Sequence, residues 1–388
     1  MHETQKNLVA VQKGKTLQER LSGCLSHLGG ISRIVAPGNK ILVKPNLVMD
    51  KPHSTGAITN PELIDLLLEH LKETAPKELV IAEGSSTSAS TTQAFRTSGL
   101  DKIAKKHGVK VVDLQKDRYE DILVPEGKAL NQAQIARTVL ETDCLINAPV
   151  LKRHCQVKFT MALKNLKGCL SDKDKKRFHS LDLEQCIADL NTVIPVQLVV
   201  ADATLCSLSW EGGGEPVRLD TVLAGTNQVA VDAVAAPMLG YRPEEIKHIL
   251  YAHEHGLGPI DRGTIQVVPH EAPNHMAAVA NQPESQKKDH NESVFDFSRI
   301  EVIDKGACTP CFGSFITALK RLERENNYPV GTAFMGQKLT DEDLKECPEK
   351  IFGIGNCGAK IVGADRAVLG CPPDAWKIYE WFKRGAHG

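Results

Sequence analysis

Four cysteines near the C-terminal end have the type and spacing of a metal centre. Cys308 and Cys311 form a C-T-P-C pair soon after a short apolar run, Ile300-Glu301-Val302-Ile303. Cys357 follows in the glycine-rich turn Gly353-Ile354-Gly355-Asn356-Cys357-Gly358, and Cys371 in Gly370-Cys371-Pro372-Pro373. A C-x-x-C turn brings two thiolates onto one centre, and two more from loops rich in glycine and proline complete four-thiolate coordination. The glycines let the backbone approach closely, so that its N–H groups can bond cluster sulfur. Structural zinc usually takes two C-x-x-C knuckles, and here only one pair is so spaced. The spacing therefore points to a [4Fe–4S] cluster, with Zn2+ as the alternative cofactor and unmetallated thiols as a third reading.

A second constellation is basic. Between Pro149 and Lys175 lie Lys152, Arg153, His154, Lys158, Lys164 and Lys167, in a chain whose net charge is only −1. Several of these follow a predicted buried strand, which makes an anion pocket for carboxylate or phosphate. The competing reading is a solvated helix face, although Asn165 and Gly168 interrupt any simple one. Other polar residues fall at predicted strand ends: Lys44 and Asn46, Glu83, Lys152 and His154, and Asp202, with Asp232 near a helix start. We assign catalytic roles to Lys44, Glu83, Lys152, His154, Lys164 and Asp202, and cofactor or ligand binding to Asn46, Asn165, Lys167 and Asp232. Glu83, Asp202 and Asp232 could together bind a divalent cation or neutralise the lysines. Taken singly, each is more simply a cap or an ion-pair partner.

These residues need strands to hold them. Lys40-Ile-Leu-Val-Lys44 is mostly apolar and reads as a strand covered on both faces. Asn60-Pro61 then opens a helix to about Glu73, with asparagine as its cap. Glu78–Ala82, Val109–Asp113, Cys144–Asn147, Gln197–Ala201 and Asp220–Ala224 read as further strands, with helices between several of them. That rhythm predicts an α/β fold: a mainly parallel sheet flanked by helices, and a smaller C-terminal α/β unit carrying a metal cluster. Open sheets of this kind place ligands at the C-terminal ends of their strands. The expected divisions are residues 1–280, a polar linker or exposed loop at 281–295, and 296–388 for the cysteine unit.

Composition bounds the function. With 41% hydrophobic and 24% charged residues the chain has ordinary globular composition. A net charge of −1 offers no global field for nucleic acid or an anionic membrane. No apolar run is long enough to span a bilayer, and residues 1–15 lack the pattern of a signal peptide. Eleven cysteines in odd number argue against a disulfide framework and for a reducing, cytoplasmic setting. Cys24, Cys144, Cys155, Cys169, Cys186, Cys206 and Cys347 are expected to be mainly buried thiols, with a reactive role open for Cys155 and Cys169. His248, His253 and His255 lack the helical spacing of a metal pair, and Gly212-Gly213-Gly214 reads as a loop over the site.

Two resemblances extend this reading. The C-T-x-C, G-x-C and G-C-P-P motifs resemble the proximal-cluster set of nickel–iron hydrogenase small subunits, which would make all four cysteines cluster ligands. V-K-P-N-L at 43–47, A-E-G-S at 82–85, N-A-P-V-L-K at 147–152 and L-K-N-L-K-G at 163–168 resemble the domain of unknown function 362 family. F-H-S-L-D at 178–182, E-G-G-G-E-P at 211–216 and V-A-V-D at 229–232 extend that likeness over roughly residues 8–260. Members are often iron–sulfur proteins with a ferredoxin-type cysteine run; this chain lacks that run, so the resemblance implies a redox setting and leaves the reaction open. We expect an iron–sulfur redox enzyme or electron-transfer protein. Its [4Fe–4S] cluster would lie next to a basic site for a small anionic ligand or a redox partner protein, and a homo-oligomer is compatible with this. The alternative is a non-redox binding or accessory protein with structural zinc; a metal-dependent hydrolase would need the acidic trio to converge.

Overall fold

The computed structural model describes residues 7–87, 89–154, 157–208, 211–213 and 216–269. Toward the C-terminus it describes 300–305, 307, 311, 314–315, 318–319, 322, 325, 327, 329–345, 347, 350–371, 373 and 375–384. The expected segment 281–295 lies outside these residues. Contacts divide the chain into two units, Met1–Asn281 and Gln282–Gly388.

The first unit holds the strands β1 (Leu8–Lys13), β2 (Lys40–Pro45), β3 (Glu78–Glu83), β4 (Lys110–Asp113), β5 (Tyr119–Leu123) and β6 (Gln132–Ala136). It continues with β7 (Cys144–Ala148), β8 (Lys152–His154), β9 (Lys158–Thr160), β10 (Leu198–Ser207), β11 (Pro216–Gly225) and β12 (Gln266–Val268). Eight of them form one sheet in the order β12-β1-β11-β10-β7-β2-β3-β4. From β10 to β4 every neighbour is parallel. The fold is the expected α/β type, a mainly parallel sheet flanked by helices.

One detail departs from a simple β-then-α rhythm. β11 runs antiparallel to both β10 and β1. The cause is loop length: eight residues separate Ser207 from Pro216, fewer than the dozen or so a parallel crossover needs. The two strands therefore close as a hairpin.

The central strands are buried on both faces because their side chains alternate between two apolar layers. Ile41 and Val43 enter a core with Leu21, Leu63 and Leu67, from the helices Leu17–His27 and Pro61–Lys72. Leu42 enters the opposite core with Ile187, Val231 and Ile249, from the helices Leu183–Leu190, Gln228–Ala235 and Lys247–Glu254. Pro61–Lys72 begins as expected, with Asn60 Oδ1 accepting from Glu62 N at 3.0 Å and Pro61 in the first turn. Its Leu67 is fully buried, and Leu67→Ala would cost about 2–5 kcal/mol.

The second unit holds β13 (Ile300–Asp304), β14 (Gly331–Met335), β15 (Ile351–Ile354) and β16 (Ala367–Val368), parallel and in that order. Residues 311, 314, 315, 318, 319 and 322 are helical and buried, one stripe at helical spacing that is apolar apart from Ser314. The helix Ala375–Lys383 sets Trp381 and Phe382 against Phe352, with ring centroids 6.2 and 4.8 Å away.

Candidate functional site

Asn147 and Lys44 are the next-to-last residues of the neighbouring strands β7 and β2, and Glu83 is the last of β3, so these polar groups gather at one sheet edge. Lys44 Nζ lies 2.9 Å from both carboxylate oxygens of Glu83. Leu47 N and Gly84 N also donate to that carboxylate, at 3.2 and 2.7 Å. Both side chains are buried, where an ion pair survives only with such further hydrogen bonds. Two glycines close over it. A Cβ at Gly168 would sit 2.1 Å from Glu83 Oε1, and one at Gly84 would sit 2.4 Å from the Gly168 carbonyl.

Lys152 opens β8, and its side chain is 1% exposed. Its Nζ donates to Asn46 Oδ1 at 2.8 Å and to the carbonyls of Ala57 and Glu211, at 2.5 and 3.0 Å. Burial pushes Lys152 down to about 7; the Lys164 ammonium adds to that push, while Glu211 and Glu83 oppose it. Thr160 stands directly opposite Lys152 in the β8–β9 hairpin, so the two side chains share a face. The Thr160 hydroxyl is buried without a hydrogen-bond partner among the described residues. His154 is buried in the same hairpin, with Nε2 3.5 Å from Glu211 Oε1 and Nδ1 accepting from Val157 N at 3.3 Å.

Side-chain amides link these groups head to tail. Asn46 Nδ2 donates to Asn165 Oδ1 at 2.8 Å, Asn165 Nδ2 to Asn147 Oδ1 at 2.7 Å, and Asn147 Nδ2 to Gln228 Oε1 at 2.8 Å. Gln228 Nε2 donates to Asn191 Oδ1 at 2.9 Å, and Asn191 Nδ2 to the carbonyls of Leu163 and Ile187 at 3.0 and 2.8 Å. The polarity is fixed at both ends. The Lys152 ammonium can only donate and the two carbonyls can only accept, so each amide has one allowed orientation.

Lys164 and Lys167 lie on the helical turn formed by Ala162–Asn165 and Leu166–Cys169, and both stay partly exposed. Burial, followed by the Lys164 and Lys175 ammoniums, holds Lys167 well below the ordinary lysine range. Its Nζ stands 5.6 Å from the centroid of the buried Phe178 ring.

Glu83, Asp202 and Asp232 do not converge. Glu83 serves Lys44. Asp202 accepts from Asn60 N at 2.7 Å and from Thr204 N and Oγ1 at 2.8 and 2.7 Å. Asp232 lies within the helix Gln228–Ala235 and accepts from Ala162 N and Leu163 N at 2.8 and 3.0 Å. It holds the start of the turn that carries Lys164 and Asn165. Burial raises it to about 6, against the pull of those two N–H groups. Arg153 turns away from the lysines, with Nη2 on the Leu239 carbonyl at 3.2 Å and its guanidinium over Tyr241.

In the second unit, Cys311 follows β13, Cys357 follows β15 and Cys371 follows β16. Cys308 lies outside the described residues. Gly355 joins the three loops: φ is +75°, and a Cβ there would meet Cys311 Sγ at 3.1 Å, the Gly370 carbonyl at 3.3 Å and Pro373 at 3.5 Å. Asn356 ties two of them, donating from N to the Gly370 carbonyl and accepting from Gly370 N, both at 2.9 Å. Cys311 is buried, Cys357 intermediate and Cys371 exposed. Gly355 thus sets the Cys311 sulfur beside the loop that carries Cys371, while Cys311, Cys357 and Cys371 do not form a group whose ligand atoms all lie within 4.8 Å of one another.

The profile of the family described as Domain of unknown function (DUF362) matches residues 41–237. The chain belongs to this family. All ten first-unit site residues, from Lys44 to Asp232, fall inside the matched span, and all four metal-site cysteines fall outside it. Thylakoid-associated protein sll1697 of Synechocystis sp. is 24% identical over 254 residues, covering 63% of this chain and 76% of that protein. The lactate racemase apoprotein of Thermoanaerobacterium thermosaccharolyticum is similar at a TM-score of 0.40 and 13% identity, covering 99% of this chain and 82% of that one.

Within the DUF362 match, sequence reasoning missed Gln228 and Asn191, the far end of the amide chain, and Thr160. Asn147 carried a signal, as a polar residue closing an otherwise apolar strand. Cys169 is buried and its thiol is pushed up to about 12 by that burial, which outweighs the nearby lysines; a reactive role does not fit it. Cys155 lies outside the described residues. His248 is buried with Nδ1 2.5 Å from Glu184 Oε2. Among the described residues, the one clustering of metal-type ligands is Asp65, Glu69 and His107. Lys106 Nζ already lies 2.7 Å from Asp65 there. No helix among the described residues is long and apolar enough to cross a membrane.

Proposed function

We propose that this DUF362-family protein is an iron–sulfur protein that exchanges electrons with a small anionic ligand or with a partner's redox centre. Cys308, Cys311, Cys357 and Cys371 would hold a [4Fe–4S] cluster, which supplies one-electron transfer when bound. The observation that carries the reading is Gly355, which draws the Cys311 sulfur and the Gly370–Pro373 loop together at the ends of β13, β15 and β16.

The basic edge of the first unit supports the anionic ligand. The Lys164 ammonium acts electrostatically on both Lys152 and Lys167, and the orphan Thr160 hydroxyl adds a donor on the Lys152 face. Like charges brought close at an effective dielectric near 20 repel by a few kcal/mol, on the order of the gain an anion between them would give. Location in a reducing cytoplasm belongs to the same proposal. Optical and EPR spectra of anaerobically prepared protein test it. A broad absorption band that dithionite bleaches, with a reduced-state EPR signal, is the expected result. Colourless protein with stoichiometric zinc would replace it with a structural-metal accessory role.

A further inference from the structure

We propose that the anion site is a closed compartment on one face of the β8–β9 hairpin. The Thr160 hydroxyl holds an oxygen of a small oxyanion there, and Lys152 ties the two loops that must part to admit it. This deepens the anion-site reading and rests on it. Alternation along the hairpin sets Lys152, His154, Lys158 and Thr160 on one face and Arg153 and Phe159 on the other. The second face packs against protein: the Arg153 guanidinium lies over Tyr241, and the Phe159 ring stands 6.2 Å from that of His248. The first face is polar and yet sealed, with Lys152, His154 and Thr160 all buried and Thr160 only 3% exposed.

On that face Lys152 and His154 are committed to protein groups, and Thr160 is not. The Lys152 amine donates to Asn46 Oδ1 and to the carbonyls of Ala57 and Glu211. His154 Nδ1 accepts from Val157 N, which puts the ring proton on Nε2, toward the Glu211 carboxylate. The Thr160 hydroxyl is buried and has no partner among the described residues. A buried hydroxyl without a hydrogen bond costs stability, so its place in a native fold calls for a partner from outside the chain. Lys152 stands directly opposite, and the Lys164 ammonium acts on Lys152. Positive charge on this side favours an oxyanion as that partner.

One amine fastens both loops. Ala57 lies between β2 and the helix Pro61–Lys72, and Glu211 between β10 and β11; each gives its carbonyl to Lys152 Nζ. The same two segments meet backbone to backbone nearby. Gly213 has a φ of +90°, and a Cβ there would come 2.9 Å from the Thr55 carbonyl. A ligand reaches Thr160 by displacing the two Lys152 bonds.

Calorimetric titration of the full-length protein at pH 7 tests the contact, with acetate and inorganic phosphate as separate probes for a carboxylate and a phosphate site. At least one should bind the wild type. Thr160→Val keeps the shape and removes the hydroxyl, and should weaken that binding about tenfold or more; Thr160→Ser should restore it. Without ligand, Thr160→Val should unfold at the same or a higher denaturant concentration, because no protein bond is lost. Lys152→Met should speed amide exchange in the peptides containing Ala57 and Glu211 together. In the wild type the bound probe should protect the same two peptides in step, a readout that stands even if Lys152→Met fails to fold. Equal affinity in wild type and Thr160→Val, or a less stable ligand-free Thr160→Val, overturns the inference while the anion site stands. Protection of only one of the two peptides overturns it too. If neither probe binds the wild type, both readings fall.

Discussion

Gly168 lies over the Lys44–Glu83 ion pair so closely that a Cβ would come within 2.6 Å of Lys44 Nζ. Backbone at Gly168 closes the pair on this side. Adding one methyl group must therefore displace either the turn that carries Lys167 or the ion pair beneath it.

Gly168→Ala should accordingly destabilise the protein by about 3 kcal/mol, the scale of overpacking combined with disturbing a buried pair. Denaturant unfolding followed by circular dichroism measures this. An unchanged midpoint would mean that the glycine is not in contact with the pair.

Lys152 should leave a signature in the pH dependence of stability. Its folded-state value of about 7 lies below the ordinary 10.5, so between those limits the unfolded chain binds the extra proton. Stability contributed by this group then rises as pH goes from 7 to 10.5, by an upper bound of roughly 5 kcal/mol. Lys152→Met should flatten that rise when unfolding is compared across the window. Equal slopes in the two proteins would place the titration elsewhere.

Asp232 has the opposite sign. Its folded-state value is raised from 3.8 to about 6, so the native state holds the extra proton in that window. Its contribution to stability is present below pH 3.8 and lost as pH rises through 6. Asp232→Asn keeps one acceptor for Ala162 N and Leu163 N and should cost about 1–3 kcal/mol. It should also weaken anion binding without changing iron content, because the residue positions the Lys164 turn.

Much of this was readable from residues alone. β2, β3 and β7 announce themselves as apolar runs, and Asn60-Pro61 as a helix start, because burial on both faces and capping are local requirements. Lys44 and Glu83 stand out as charges that end such runs. What stayed hidden depends on distant partners. The Asn147–Gln228–Asn191 amide chain joins segments some 40 to 80 residues apart, and no local pattern encodes such a link. Asp232 looked like part of an acidic site, yet it caps the turn carrying Lys164 from another helix. The hairpin of β10 and β11 was missed for a simpler reason: each strand is apolar enough to pass for a parallel one, and loop length alone distinguishes them.

Breaking the amide chain at its centre should be costly. Asn147→Leu would leave Asn165 Nδ2, Gln228 Oε1 and the Ala162 carbonyl without their partner. A loss of about 3–5 kcal/mol is expected from buried groups left unsatisfied. A double-mutant cycle with Gln228→Ala should show coupling above about 0.5 kcal/mol. Strict additivity would deny that the amides act as a network.

The central claim is that four cysteines of the second unit hold a [4Fe–4S] cluster. The most direct measurement is iron and acid-labile sulfide per chain in anaerobically purified protein, alongside the Cys311→Ser, Cys357→Ser and Cys347→Ser variants. About four iron and four sulfide are expected in the wild type, falling sharply in Cys311→Ser and Cys357→Ser and unchanged in Cys347→Ser. Stoichiometric zinc without sulfide, or iron indifferent to Cys311 and Cys357, would contradict it.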